Sequence, residues 1–239
     1  MAEKLVCLDP GHGPGSVNAS PDGTLREAEV CWDLSRRIAA RLAGQGVRTL
    51  CTRAEDTRPE LTERAGVSNR AGADCFLSIH TNAAGNSGWY DASGLELYTS
   101  AGPEDAPRNL LAARLAEAFR AAGVPLRSDP VKHYGYTVLT ATRAPAVLVE
   151  YGFHTSRTDA ARLKDPAWRE RLAEATARGL CAWLGVAWRE PAEDGAGLDA
   201  AVDRLAAAGL IDSPGYWKAG DYSAENVRTL LIKWAASLE

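Results

Sequence analysis

Leu5-Val6-Cys7-Leu8-Asp9-Pro10-Gly11-His12-Gly13 is the stretch whose reading decides the fold. An apolar run too short for a helix meets a segment punctuated by Pro and Gly, which predicts a buried strand ending in a turn that presents a histidine. The same pattern of apolar runs recurs at 47–51, 75–79, 95–98 and 146–149. Between most of these runs the spacing changes to that of helices. Val30, Leu34, Ile38 and Leu42 recur every four residues after Thr24, and Leu110, Leu111, Leu115 and Phe119 precede Gly123. The pattern also predicts a helix over 163–183 and a shorter one over 61–71. Strands alternating with helices predict an α/β fold with a mixed, mostly parallel sheet flanked by helices on both faces.

The 239 residues suffice for one sizeable α/β core and a small appendage. Residues 1–190 read as the main domain, the Pro/Gly-containing stretch 191–197 as a linker, and 198–239 as a small helical module. That module carries helix patterns over 198–210 and 224–238 around a turn at 212–215. Such a pair could dock on the main domain or on a partner, including a second copy in a homodimer. A net charge of −4 gives no basic surface for nucleic acid, so no nucleic-acid partner is expected. The N-terminus enters a strand too short for a signal-peptide core, and no apolar run reaches the ~18 residues of a membrane span. The expectation is a product made in the cytoplasm without a signal peptide or transmembrane segment. Five scattered cysteines with no Cys-x-x-Cys pair read as buried thiols.

Open α/β sheets bind ligands outside the carboxyl ends of their strands. Three such ends carry His12, His80 and Glu150. Each alone would pass for a satisfied structural residue; together, in a chain with only four histidines, they point to one site. Glu27 stands three and seven residues before Val30 and Leu34, on the inward helix face, where an unpartnered carboxylate would cost several kcal/mol. Two readings of Glu27 stay open. It could bind a metal, or close a capping box in Thr24-Leu25-Arg26-Glu27. Its neighbour Glu29 falls off the stripe and reads as solvated. Two histidines and a carboxylate suit catalytic zinc with one open position, and Glu150 is then the candidate general base. Asn82, His133, Tyr136 and His154 are candidate substrate-binding residues. His133 and Tyr136 lie in an aromatic, glycine-containing loop that could line a groove or stand in solvent, and His154 follows the Glu150 strand. Arg64 and Asn69, on or near the short helix, read as surface residues.

At these positions the sequence resembles the zinc-dependent N-acetylmuramoyl-L-alanine amidases of bacteria and phages. The resemblance lies in 6–13, in Glu27 at a helix start, in Ser78-Ile79-His80-Thr81-Asn82-Ala83, and in 145–153. These occur in the family's order and cover about residues 4–186. It implies a sheet of about six strands and one zinc ion held by His12, Glu27 and His80. It further implies Glu150 as catalytic base and, as substrate, the amide between muramic acid and L-alanine in peptidoglycan. Residues 61–64 and 68–74 also match and read as scaffold. After Gly13 this chain has Pro14-Gly15 where a second glycine is usual, which bears on the rim of the site. Residues 198–239 resemble small helical modules beside cell-wall hydrolases, wall-binding or oligomerising. The site of action implied is the bacterial cell wall, as an endolysin or autolysin. The alternatives are a zinc peptidase cutting within the stem peptide and a non-catalytic wall-binding protein.

Overall fold

The computed structural model describes residues 3–85, 87–190, 194–220 and 222–236. The elements are β1 (Leu5–Pro10), α1 (Glu27–Gly44), β2 (Arg48–Cys51), α2 (Leu61–Ala71), β3 (Cys75–Asn82), β4 (Leu95–Thr99), α3 (Pro107–Ala121) and β5 (Leu126–His133). They continue with α4 (Thr137–Thr140), β6 (Ala146–Phe153), α5 (Arg157–Lys164), α6 (Pro166–Leu184), α7 (Asp194–Ala207), α8 (Pro214–Lys218) and α9 (Ala224–Ala236). Contacts divide the chain into one unit over 1–189 and another over 190–239.

Within the first unit one six-stranded sheet has the order β2-β1-β3-β6-β4-β5. Neighbours pair in parallel except β4 against β6. The mixed, mostly parallel sheet expected from the sequence is therefore present. Strand alternation sorts its two faces. Val6, Leu8, Leu77, Val147 and Val149 pack in a core with Val30, Leu34, Ile38 and Leu42 of α1, Leu111, Leu115 and Phe119 of α3, and Leu172 and Leu180 of α6. Cys7, Phe76 and Leu148 face the other way, against Val138 and Leu139 of α4. Each fully buried leucine contributes about 1.5–3 kcal/mol relative to an exposed one. The five cysteines are free thiols, four buried and Cys51 half-buried.

Four expectations are corrected, and one strand was missed. The strands expected to end at His80 and Glu150 run on to Asn82 and Phe153, so neither residue ends its strand. The helix predicted over 163–183 is two, because Asp165 leaves the helix to accept from the Ala167 N–H at 2.9 Å and Pro166 starts α6. The sixth strand, β5, escaped the apolar pattern. It pairs only with β4 at the sheet edge, has four of its eight residues exposed, and contains Pro130. The expected linker 191–197 is cut short, because α7 already starts at Asp194; residues 191–193 lie outside the described residues. Part of the turn expected at 212–215 is helical, since Pro214 opens α8.

Candidate metal centre and active-site cavity

His12 reaches the site through an unusual backbone. Its φ of 57° makes it the one positive-φ residue other than glycine among the described residues, a conformation that persists where surroundings over-determine it. Gly11 permits the approach, since a Cβ there would lie 2.4–2.7 Å from ring atoms of His80. The turn is clamped from beneath. Asp9, fully buried on β1, accepts from Thr52 Oγ1 at 2.6 Å, Ser78 Oγ at 2.7 Å and Arg64 Nη1 at 3.1 Å. Arg64, only 3% exposed, also donates to the carbonyls of Pro10 and His12. The reading of Arg64 as a surface residue is thereby corrected. Asn69 is half-buried and bridges the Ala141 carbonyl and the Arg143 N–H.

Glu27 is buried at the start of α1, and the capping alternative fails. Arg26 is the N-cap, without a side-chain cap, while the Thr24 hydroxyl and N–H both donate to Asp22. Glu27 instead spans the two histidines. Its Oε2 lies 3.0 Å from His12 Nε2 and its Oε1 3.1 Å from His80 Nδ1. The Thr81 N–H donates to Oε1 and the Asn18 carboxamide to Oε2. Burial opposes ionisation of Glu27, but the bonds to His12 and His80 outweigh it and hold the carboxyl well below its usual range. For His80, burial disfavours the cation and Glu27 more than restores it, so its proton affinity is raised.

The ligand atoms of His12, Glu27 and His80 all lie within 4.8 Å of one another. Donors bonded tetrahedrally at about 2.0–2.1 Å stand roughly 3.3 Å apart, close to the two separations above. Two imidazoles and a carboxylate fit a catalytic zinc ion by chemistry as well as spacing. Asn18 is a member that sequence reasoning missed. It sits nine residues before Glu27 in a loop without periodicity, and only the fold returns it to the carboxylate.

A cavity of about 960 Å³ opens over this cluster, lined also by Glu150, Asn82, Tyr136 and His154. Sheet register sets His80 of β3, Glu150 of β6 and Glu96 of β4 in one row across three strands. The two carboxylates in that row have different surroundings. Glu96 accepts from Asn82 at 2.9 Å, Tyr98 at 2.8 Å and Lys132 at 2.5 Å. Glu150 Oε2 is buried with no hydrogen-bond partner, and burial raises the Glu150 carboxyl to about 8. Glu96 was also missed, because alternating Leu95-Glu96-Leu97 gives no hint that the polar face is covered. The Asn82 carboxamide is occupied at both ends, its oxygen accepting from the Ala83 N–H and its nitrogen donating to Glu96. His133 is not in the cavity wall. It is the exposed last residue of β5, with Nδ1 2.9 Å from Thr99 Oγ1, while the following Tyr134, Gly135 and Tyr136 do line the cavity. Glu29 is exposed, as expected.

The family model described as N-acetylmuramoyl-L-alanine amidase matches residues 6–182. The chain belongs to this family. Among curated relatives of this amidase domain, LytC of Bacillus subtilis, an N-acetylmuramoyl-L-alanine amidase, is 33% identical over 180 residues, covering 75% of this chain and 35% of that protein. CwlM of Bacillus licheniformis, with the same described activity, is 33% identical over 178 residues, covering 73% and 66%. The matched part thus spans about a third to two thirds of these relatives. Among solved structures, an N-acetylmuramoyl-L-alanine amidase of Nostoc punctiforme is 32% identical with a TM-score of 0.69, covering 77% of this chain and 98% of that one. Among the described residues, no helix is long and apolar enough to cross a membrane.

Proposed function

We propose that the chain hydrolyses the amide between the lactyl group of muramic acid and L-alanine in peptidoglycan, with His12, Glu27 and His80 holding one zinc ion and Glu150 serving as base. The observation that carries this reading is the bare Oε2 of Glu150 in the same cavity as the closed His12–Glu27–His80 cluster. Zinc bound there supplies a Lewis acid that polarises the scissile carbonyl and makes water easier to deprotonate. Burial favours the protonated carboxyl of Glu150, and positive charge held at the neighbouring cluster would favour its ionised form. Glu150 then accepts a proton from the attacking water and returns it to the departing alanine nitrogen. Asp9 and Arg64 keep the His12 turn in place, and Asn18 and the Thr81 N–H hold the Glu27 carboxylate.

The site of action in this reading is the bacterial cell wall, in an endolysin or autolysin role. The unit after Arg189 leaves Tyr216, Tyr222, Leu231, Ile232 and Trp234 exposed, which suits a wall-binding or oligomerising module. The decisive experiment is digestion of purified wall with and without chelator, followed by mass analysis. Intact stem peptides released only without chelator are expected. Shortened stems would mean a peptidase, and no products a binding protein.

A further inference from the structure

His154 lies in the wall of the same cavity and is only 4% exposed. Its backbone N–H donates to the Asn82 carbonyl at 2.9 Å, tying the end of β6 to the end of β3. The ring is fixed by Thr81, with Nδ1 3.0 Å from both the Thr81 carbonyl oxygen and Oγ1. A carbonyl oxygen only accepts, so Nδ1 carries the hydrogen. Burial lowers the proton affinity of this ring and keeps it neutral. In a neutral imidazole protonated at Nδ1, Nε2 is a bare acceptor. Among the described residues, no partner contacts Nε2. The buried side-chain polar atoms lacking a partner are Trp32 Nε1, Ser68 Oγ and Glu150 Oε2, so Nε2 keeps its access to the cavity.

We propose that His154 binds substrate, its Nε2 accepting a hydrogen bond from an N–H group of the glycopeptide. The proposal rests on the amidase reading and adds a specificity contact to it. The glycopeptide offers two sources of such a donor, the backbone amides of the stem and the acetamido group of the sugar. The same cavity holds the carboxylates of Glu27 and Glu150, which in the amidase reading the metal cluster and the proton transfer occupy. A neutral acceptor fixed by its own backbone contact is suited to reading an amide without competing for the metal.

Two substitutions separate this role from bracing of Thr81. His154→Asn sets its amide nitrogen near the place of Nδ1 and keeps the Thr81 bond while removing the Nε2 acceptor. His154→Gln sets its amide oxygen near the place of Nε2 and gives up the Thr81 bond. The expected result is a fall in kcat/KM of about tenfold in His154→Asn, carried by KM, with zinc content and thermal midpoint retained, and recovery of most of it in His154→Gln. An active Asn variant, or equal impairment of both, would overturn the proposal. Should both variants misfold, imidazole ¹⁵N shifts of wild type decide instead. Nδ1-protonated His154 whose Nε2 resonance moves on adding muramoyl peptide supports the contact, and an unmoved resonance refutes it. With de-N-acetylated glycopeptide, a persisting Asn penalty assigns the donor to the stem and a vanishing one to the acetamido group. Failure of the amidase reading is recognised separately, since wild type itself would release no stem peptides.

Discussion

Glu27 and Glu150 line one cavity, yet the molecule treats their two corners in opposite ways. The corner at the start of α1 saturates its carboxylate with two imidazoles, a backbone N–H and a carboxamide, and stabilises the anion. The corner on β6 strips its carboxylate of partners, while the adjacent Glu96 gathers Asn82, Tyr98 and Lys132. A saturated carboxylate is rigid and suited to holding a cation. A bare one has a high proton affinity and a free lone pair, which suits proton transfer. The lesson is that hydrogen-bond supply, more than residue type, divides the labour between two glutamates.

The largest effect should come from breaking the saturated corner. Glu27→Gln is expected to lose both zinc and wall hydrolysis, measured by metal analysis and stem-peptide release. A variant that retained stoichiometric zinc would place the ligand set elsewhere. Glu150→Gln should keep its zinc while turnover falls by about a hundredfold to ten-thousandfold, so that metal content and turnover part company at this residue. Full activity there would leave Glu150 structural.

Beneath the His12 turn, Arg64→Met leaves Asp9 as an uncompensated buried charge. A loss of about 3–5 kcal/mol in denaturant unfolding is expected, against little change for a surface pair such as Arg114–Glu117. The smallest effect is a difference in pH dependence. In metal-free protein the Glu150 carboxyl is raised from 4.5 to about 8, so the unfolded chain gives up this proton first as pH rises. Stability of wild type relative to Glu150→Gln should therefore decline between about pH 4.5 and 8. A difference that stays flat across this window would mean Glu150 is not desolvated.

Much of the main sheet was legible because it rests on periodicity. Val30, Leu34, Ile38 and Leu42 announce α1, and the short apolar runs announce five of the six strands. β5 was not legible, because an exposed edge strand needs neither alternation nor freedom from proline. The break at Asp165-Pro166 was written in the sequence as a cap followed by proline, but the apolar pattern runs across it. At the site, His12, His80 and Glu150 could be picked out because each follows an apolar run, although β3 and β6 continue past His80 and Glu150. Arg64 could not, since nothing in an amphipathic helix distinguishes an arginine in solvent from one turned onto a buried aspartate 55 residues away.

The sequence by itself determined the class of fold, the order of its main apolar elements and which residue types follow the apolar runs of β1, β3 and β6, because burial imposes its period on a chain locally. Only the tertiary structure decided that Glu27 faces His12 and His80 rather than capping its helix, that Glu150 is left bare beside a satisfied Glu96, and that His133 lies outside the cavity. Those outcomes depend on which donors meet which acceptors across the sheet, and that supply is fixed by strand register and loop return, which no local pattern encodes.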